Sequence, residues 1–188
     1  MRQRPAALLG LLTASLLLAA CGLGRFENGA DPADIPDGPL VAMGPAAIGQ
    51  VTELGRGRTT GIGWRYSTYE STDGTCTQLE LAGVGGTSCG PIGEAFGDGV
   101  IGGVGRIGGG PGEAGDTAMA VDGLVTAGAA AVWIVTETGQ RIPTNLMSMA
   151  PAGHDAQAFV GFVPGGATIS AVVATDGDGK VIGTFEVS

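Results

Sequence analysis

The chain has 188 residues, 18 of them acidic and 9 basic, for a formal net charge of −9. Such an acidic surface argues against a nucleic-acid partner and against charge-driven binding to anionic lipid. Glycine is heavily used, 37 residues beside 5% aromatics, but without the three-residue period of collagen; it implies many turns and an unfolded state rich in entropy.

Arg2 and Arg4 open a basic start, and Ala6 to Ala20 follow without a charge. That run is shorter than the ~20 residues a spanning helix needs. It ends in small residues before a cysteine, the pattern of a cleaved export signal. Leu18-Ala19-Ala20-Cys21 resembles the lipobox of bacterial lipoproteins. The resemblance implies that the Cys21 thiol takes a diacylglyceryl group and becomes the first residue after cleavage. It also implies an extracytoplasmic protein, lipid-anchored to the bacterial cell membrane, or to the outer membrane if the host has one. Two acyl chains hold a protein stably where one does not. Gly22 lacks the acid that commonly signals inner-membrane retention in such lipoproteins, which permits outer-membrane export.

The expected organisation is a signal peptide over 1–20, a lipidated N-terminus and flexible tether over 21–49, and a β-rich domain over 50–188. The tether carries Pro32, Pro36, Pro39 and Pro45 among Asp31, Asp34 and Asp37 and has no sustained hydrophobic period. A flexible chain of that length spans roughly 25–30 Å. With Cys21 given to lipid, Cys76 and Cys89 remain. A pair in an exported domain reads as a disulfide, worth ~3 kcal/mol by loop closure; two free thiols are the alternative. A metal site is a poorer reading, because the single His154 is far from both cysteines in sequence.

Gly63 to Glu70 is aromatic and β-favouring, Ser71-Thr72-Asp73-Gly74 is a turn, and Thr75 to Leu81 returns with alternation. Thr77, Leu79 and Leu81 share one face; Cys76, Gln78 and Glu80 share the other. Ala82 to Gly115 is the least ordered-looking stretch, with Val100-Ile101 and Val104 to Ile107 as short apolar islands, each fit for a brief strand. Thr117 to Val125 reads as one or two strands broken at Asp122-Gly123. Ala130 to Thr136, apolar on both faces, reads as a central covered strand. Gln140 to Met147 returns after the turn at Glu137-Thr138-Gly139. Ala156 to Val163 is a further strand, and Ile169 to Thr175 pairs with Lys180 to Val187 across Asp176-Gly177-Asp178-Gly179. The expected fold is all-β: an antiparallel β-sandwich of Ig-like architecture, or a small barrel, with about eight to ten short strands.

Several motifs invite chemistry. Gly86-Thr87-Ser88-Cys89-Gly90 fits the nucleophile-elbow pattern, and a Ser88–Asp–His154 triad can be written down. That mechanism needs a strand-to-helix turn at the serine, and the following Pro91-Ile92-Gly93 indicates no helix. Gly103 to Gly108 fits G-x-G-x-x-G without the helix that cradles phosphate. Asp176 to Lys180 starts like a calcium loop but lacks the closing glutamate. His154-Asp155 sits in an expected loop. Trp64, Tyr66 and Tyr69 are the candidate ligand-facing aromatics, with Trp133 as a further one; aromatic residues on strands also build cores.

No catalytic set, cofactor or metal ligand is assigned. The expected function is a non-enzymatic, membrane-anchored lipoprotein. Its β-sandwich serves protein or envelope binding or a structural role. The membrane, through the acyl group on Cys21, is the expected partner, with an envelope protein or polysaccharide beside it. The alternative is a small-ligand or carbohydrate-binding lipoprotein; an extracytoplasmic hydrolase stands third.

Overall fold

The computed structural model describes residues 39–59, 62–81, 84–97, 99–108 and 119–187. The leader, the Cys21 motif and the tether up to residue 38 lie outside the described residues. Among those described, twelve strands form three antiparallel four-stranded sheets. The first is a meander of β1 (Ile48–Thr59), β2 (Ile62–Ser71), β3 (Gly74–Leu81) and β4 (Val84–Gly90). The short helix α1 (Ile92–Ala95) leads on to β5 (Ile101–Gly108). The middle sheet has the order β5-β6-β10-β9, with β6 at Met119–Thr126, β9 at Asn145–Ser148 and β10 at Ala156–Val163. The third has the order β12-β11-β7-β8, with β7 at Ala131–Thr136, β8 at Arg141–Pro143, β11 at Ile169–Thr175 and β12 at Val181–Glu186.

The last two sheets reproduce an immunoglobulin-like strand order. In chain order their strands take the places A, B, C, C′, D, E, F and G, with A-B-E-D facing G-F-C-C′. No cysteine bridges B to F, so the likeness is one of architecture. The first meander is an added layer.

Side-chain alternation explains the stacking. On β6 and β10, Ala120, Leu124, Ala158, Val160 and Phe162 face the first sheet and pack with Trp64, Tyr66, Leu79 and Leu81. Their alternates Val121, Val125, Phe159 and Val163 face the third sheet and pack with Val132, Ile134, Val172 and Ala174. The middle sheet is therefore buried on both faces, and two cores share it.

The three hairpins form where the sequence places them. β2 and β3 pair from Trp64↔Leu81 to Ser71↔Gly74, with Ser71 Oγ accepting from Asp73 N–H at 3.1 Å in the turn. At 176–180, Asp176 Oδ1 accepts from the N–H groups of Asp178 (3.0 Å) and Lys180 (2.9 Å). That carboxylate is occupied by its own turn, as an Asx turn requires.

Four expectations are corrected. Val84–Gly90, in the least ordered-looking stretch and outside its apolar islands, is a strand, because β4 pairs with β3 over seven positions. The two apolar islands fuse into one bulged β5. Asp122-Gly123 does not break β6. Gln140 to Met147 is no single return strand: β8 pairs with β7 in the third sheet, and β9 pairs with β10 in the middle one. Thr144, whose N–H and hydroxyl both donate to Val132 O, holds the crossing point.

The tether's last part is docked. Met43 N–H donates to Gln78 Oε1 at 3.0 Å, and Gln78 Nε2 donates to Val41 O at 2.9 Å. A buried side-chain amide thus satisfies two backbone groups as a neighbouring strand would. This explains why Gln78, on the face away from the first core, is 1% exposed.

Cys76 and Cys89 are directly opposite on β3 and β4 and form a disulfide with S–S 2.06 Å. The double variant Cys76→Ser/Cys89→Ser is expected to lose about 2–4 kcal/mol of stability. Urea titration of wild type and variant checks this, and an unchanged midpoint would show the bond to be energetically idle.

Candidate functional site

The first core changes character along its length. At one end Trp64, Leu79 and Leu81 fill it. At the other, the same face of β2, β3 and β4 carries Thr68, Thr77, Ser88 and Thr75, as the pairs Thr68↔Thr77, Thr77↔Ser88 and Thr75↔Gly90 require. Here the sheets part around a cavity of about 350 Å³. Thr75, Thr77, Ser88, Cys89 and Gly90 line one wall, and Pro91, Ile92, Glu94, Ala95, Gly103 and Leu124 line the rest.

Local sequence sets these walls. Pro91 opens α1 after β4 ends, and its carbonyl accepts from Glu94 and Ala95 N–H. That turn carries Ile92 and Ala95 against the first core. It comes so close to β5 that a Cβ on Gly102 would collide with the Ala95 carbonyl oxygen. The glycine is needed there for close approach.

Deeper in, Tyr66 Oη donates to Asp122 Oδ2 at 3.2 Å across the gap between the first and middle sheets. Tyr66 is 0% exposed and Asp122 8%. Gly105 lies opposite Asp122 on β5, where a side chain would meet Asp122 Oδ1 at 2.9 Å. Burial pushes the Asp122 carboxyl up to about 6, with the Tyr66 hydrogen bond pulling the other way. Burial, and then the neighbouring carboxylate, raise the Tyr66 phenol well above its ordinary value. Thr77, which also lines the cavity, shares the face of β2 and β3 that carries Tyr66.

His154 sits at the rim of this end. Its Nε2 is 3.0 Å from Glu70 Oε1 and 3.4 Å from Thr75 Oγ1, while Thr75 Oγ1 donates to Glu70 Oε1 at 2.8 Å. In a nucleophile triad the hydroxyl donates to one ring nitrogen and the acid holds the other. Here hydroxyl and imidazole meet at one carboxylate oxygen. The arrangement is a clamp joining the 3-10 turn Ala150–Ala152 to the β2–β3 hairpin. A short helix, α1, does begin at Ile92, which corrects the expectation that Pro91-Ile92-Gly93 indicates none; Ser88 nevertheless stands inside β4 opposite Thr77, two residues before the strand ends, and not at the elbow itself. Gly103 to Gly108 lies within β5, so no helix N-terminus backs it. Among the described residues no three His, Cys, Asp or Glu side chains cluster as metal ligands do.

The candidate ligand-facing aromatics take a different place. Trp64, Tyr66 and Tyr69 are 4%, 0% and 3% exposed. Trp64 tilts against Phe162 in the first core at a centroid distance of 6.2 Å. Tyr69 faces outward but is covered near Gly44 by the docked segment. None offers a ring to a ligand here, which corrects that expectation. Trp133 is half-buried on the outer face of the third sheet, beside Val173 and Pro143. The structure instead forms two groupings that the sequence motifs do not mark, the Tyr66–Asp122 pair and the clamp of Glu70, Thr75 and His154. For Asp122 a signal existed: alternation puts it on the face of Ala120 and Leu124, so an acid stood among core positions.

Comparisons of the chain with protein-family models, curated proteins and solved structures give no match.

The Asp122 shift has a defined sign. The folded state holds the proton more tightly than the unfolded chain, so this group favours folding at low pH. The contribution is lost as pH rises from near 3.8 to about 6. Asp122→Asn is expected to match wild-type stability near pH 4. Above pH 6 it should exceed wild type by roughly 2–3 kcal/mol, at ~1.4 kcal/mol per pH unit. Urea midpoints across that range check this; parallel curves for the two proteins would refute it.

Proposed function

We infer that the protein is a non-enzymatic module held by acyl chains on Cys21 at the extracytoplasmic face of a bacterial membrane. Its layered β-domain is presented to an envelope component. The observation that carries this reading is the Cys76–Cys89 bond. The chain has three cysteines, and the fold uses two in a bond typical of oxidising compartments. That leaves Cys21, in its lipobox-like setting, as the single thiol for modification. The docking of Val41 and Met43 adds a mechanical point: the anchor's pull enters the domain through the first sheet. The immunoglobulin-like sandwich then lies beyond it, with its connecting loops free for recognition.

Metabolic labelling with an alkyne-tagged palmitate in a bacterial host tests the reading. Wild type is expected to carry label and fractionate with membranes, and Cys21→Ser to lose both. Equal labelling of the two, or a cytosolic wild type with Cys76 and Cys89 reduced, would overturn it.

A further inference from the structure

We propose that the cavity between the first and middle sheets is a binding site for one uncharged sugar ring. This rests on the binding-module reading and names the ligand class that such a module would take.

Three observations converge on it. The first is size: about 350 Å³ falls at the low end of the roughly 300–1,000 Å³ usual for small-molecule sites. It holds a ring and not a chain. The second is the distribution of polarity. Thr77 and Ser88 face each other across β3 and β4, and Thr75 stands two residues along the same face. Facing positions on neighbouring strands are ~5 Å apart, and i, i+2 positions nearly 7 Å. The Thr77 and Ser88 hydroxyls can each donate and accept, while Thr75, whose proton goes to Glu70, is left to accept. A row of such groups complements the edge of a pyranose, whose hydroxyls donate and accept at comparable separations. The opposite wall of Ile92, Ala95 and Leu124 is apolar and suits the C–H face of the ring. The third is charge. Glu94 is the ionisable side chain among the lining residues, and no lysine or arginine lines the cavity. A carboxylate accepts strongly from sugar hydroxyls and repels an anionic ligand.

Binding here also touches the interior. Thr77 on the cavity wall lies on the same sheet face as Tyr66, whose hydroxyl donates to Asp122. Ser88 is exposed at the mouth, so a ring enters beside it and its far edge reaches Thr77. The disulfide is on the other face of the sheet, since Cys76 alternates with Thr75 and Thr77. It closes the hairpin behind the site, and Cys89 is itself among the residues that line the cavity.

The test is a titration of the ¹⁵N-labelled full-length domain with glucose, galactose and N-acetylglucosamine. Lactose and chitobiose represent rings at a chain end, and glucuronate is the charged control. Saturable amide shifts at Thr77, Ser88 and Leu124 with at least one neutral sugar, and none with glucuronate, are expected. Response to the free hexose alone marks a monosaccharide site; response to the disaccharide as well marks a chain-end site. Ser88→Ala and Glu94→Gln should each weaken binding about tenfold, with unchanged melting temperature. Both side chains are at the cavity surface, so the fold is not at stake. No saturable shift with any neutral sugar, shifts mapping away from the cavity, or equal binding of glucuronate would overturn the proposal. Acyl labelling at Cys21 reads out separately, so either result stands without the other.

Discussion

The structure depends on one sheet being covered twice. β6 and β10 send alternate side chains into two different cores, and each core is completed by a different outer sheet. A strand in that position must be apolar at nearly every residue. β10 meets this with Ala156, Ala158, Phe159, Val160, Phe162 and Val163 all buried. β6 meets it with one buried exception, Asp122. The immunoglobulin-like half alone would leave the Ala120 and Leu124 face of the middle sheet open to water. The added meander closes that face, and in doing so creates the seam that the acid and the cavity occupy.

At that seam the physical demands conflict. Packing two sheets favours apolar pairs, yet here Tyr66 meets Asp122, and Thr68, Thr75 and Thr77 share the face of the first sheet that carries Tyr66. The hydroxyls are satisfied in part by the protein: Thr68 Oγ1 donates to Cys76 O at 2.8 Å, and Tyr66 to Asp122. A buried acid raised to about 6 disfavours folding at neutral pH, and an apolar residue there would pack with less conflict. Such a cost, set beside an open cavity and not in the middle of a sealed core, fits a place where the two sheets enclose something other than each other.

Much of this was legible in the residues. The alternation in Thr75 to Leu81 fixed two faces, and the turn chemistry at 71–74, 137–139 and 176–179 located three hairpins. Those signals are local, so long-range packing could not override them. What failed was the reading of glycine. Glycine in this sequence reads as turns, but several glycines lie inside strands under another side chain. The Trp64 ring lies across Gly57, and the Phe159 ring across Gly123. Gly85 and Gly86 sit within β4 for a like reason, beneath Met43 and Ile107. A glycine that admits a ring from the facing strand or sheet looks, in sequence, the same as one that admits a bend. β1 was missed because Gly49, Gly55 and Gly57 dilute its pattern, and the split of β8 from β9 because the switch of sheets at Thr144 needs the whole sandwich to be seen.

The aromatics show the same limit from the other side. Trp64, Tyr66 and Tyr69 sit on one strand, and period two puts Trp64 and Tyr66 on one face and Tyr69 on the other. A sheet with one wet face would expose one of those sets. This sheet has none to expose, because residues 41–44 lie over its outer face and the middle sheet lies over its inner one. Burial of Tyr69 thus follows from the docking of the tether, not from the core. The layers run in a fixed order: docked segment, meander, middle sheet, third sheet. Under the anchored reading, the order sets the geometry of presentation. The chain enters on the meander's outer face, the cavity opens one layer further in, and the third sheet with Trp133 lies on the side away from the point of attachment.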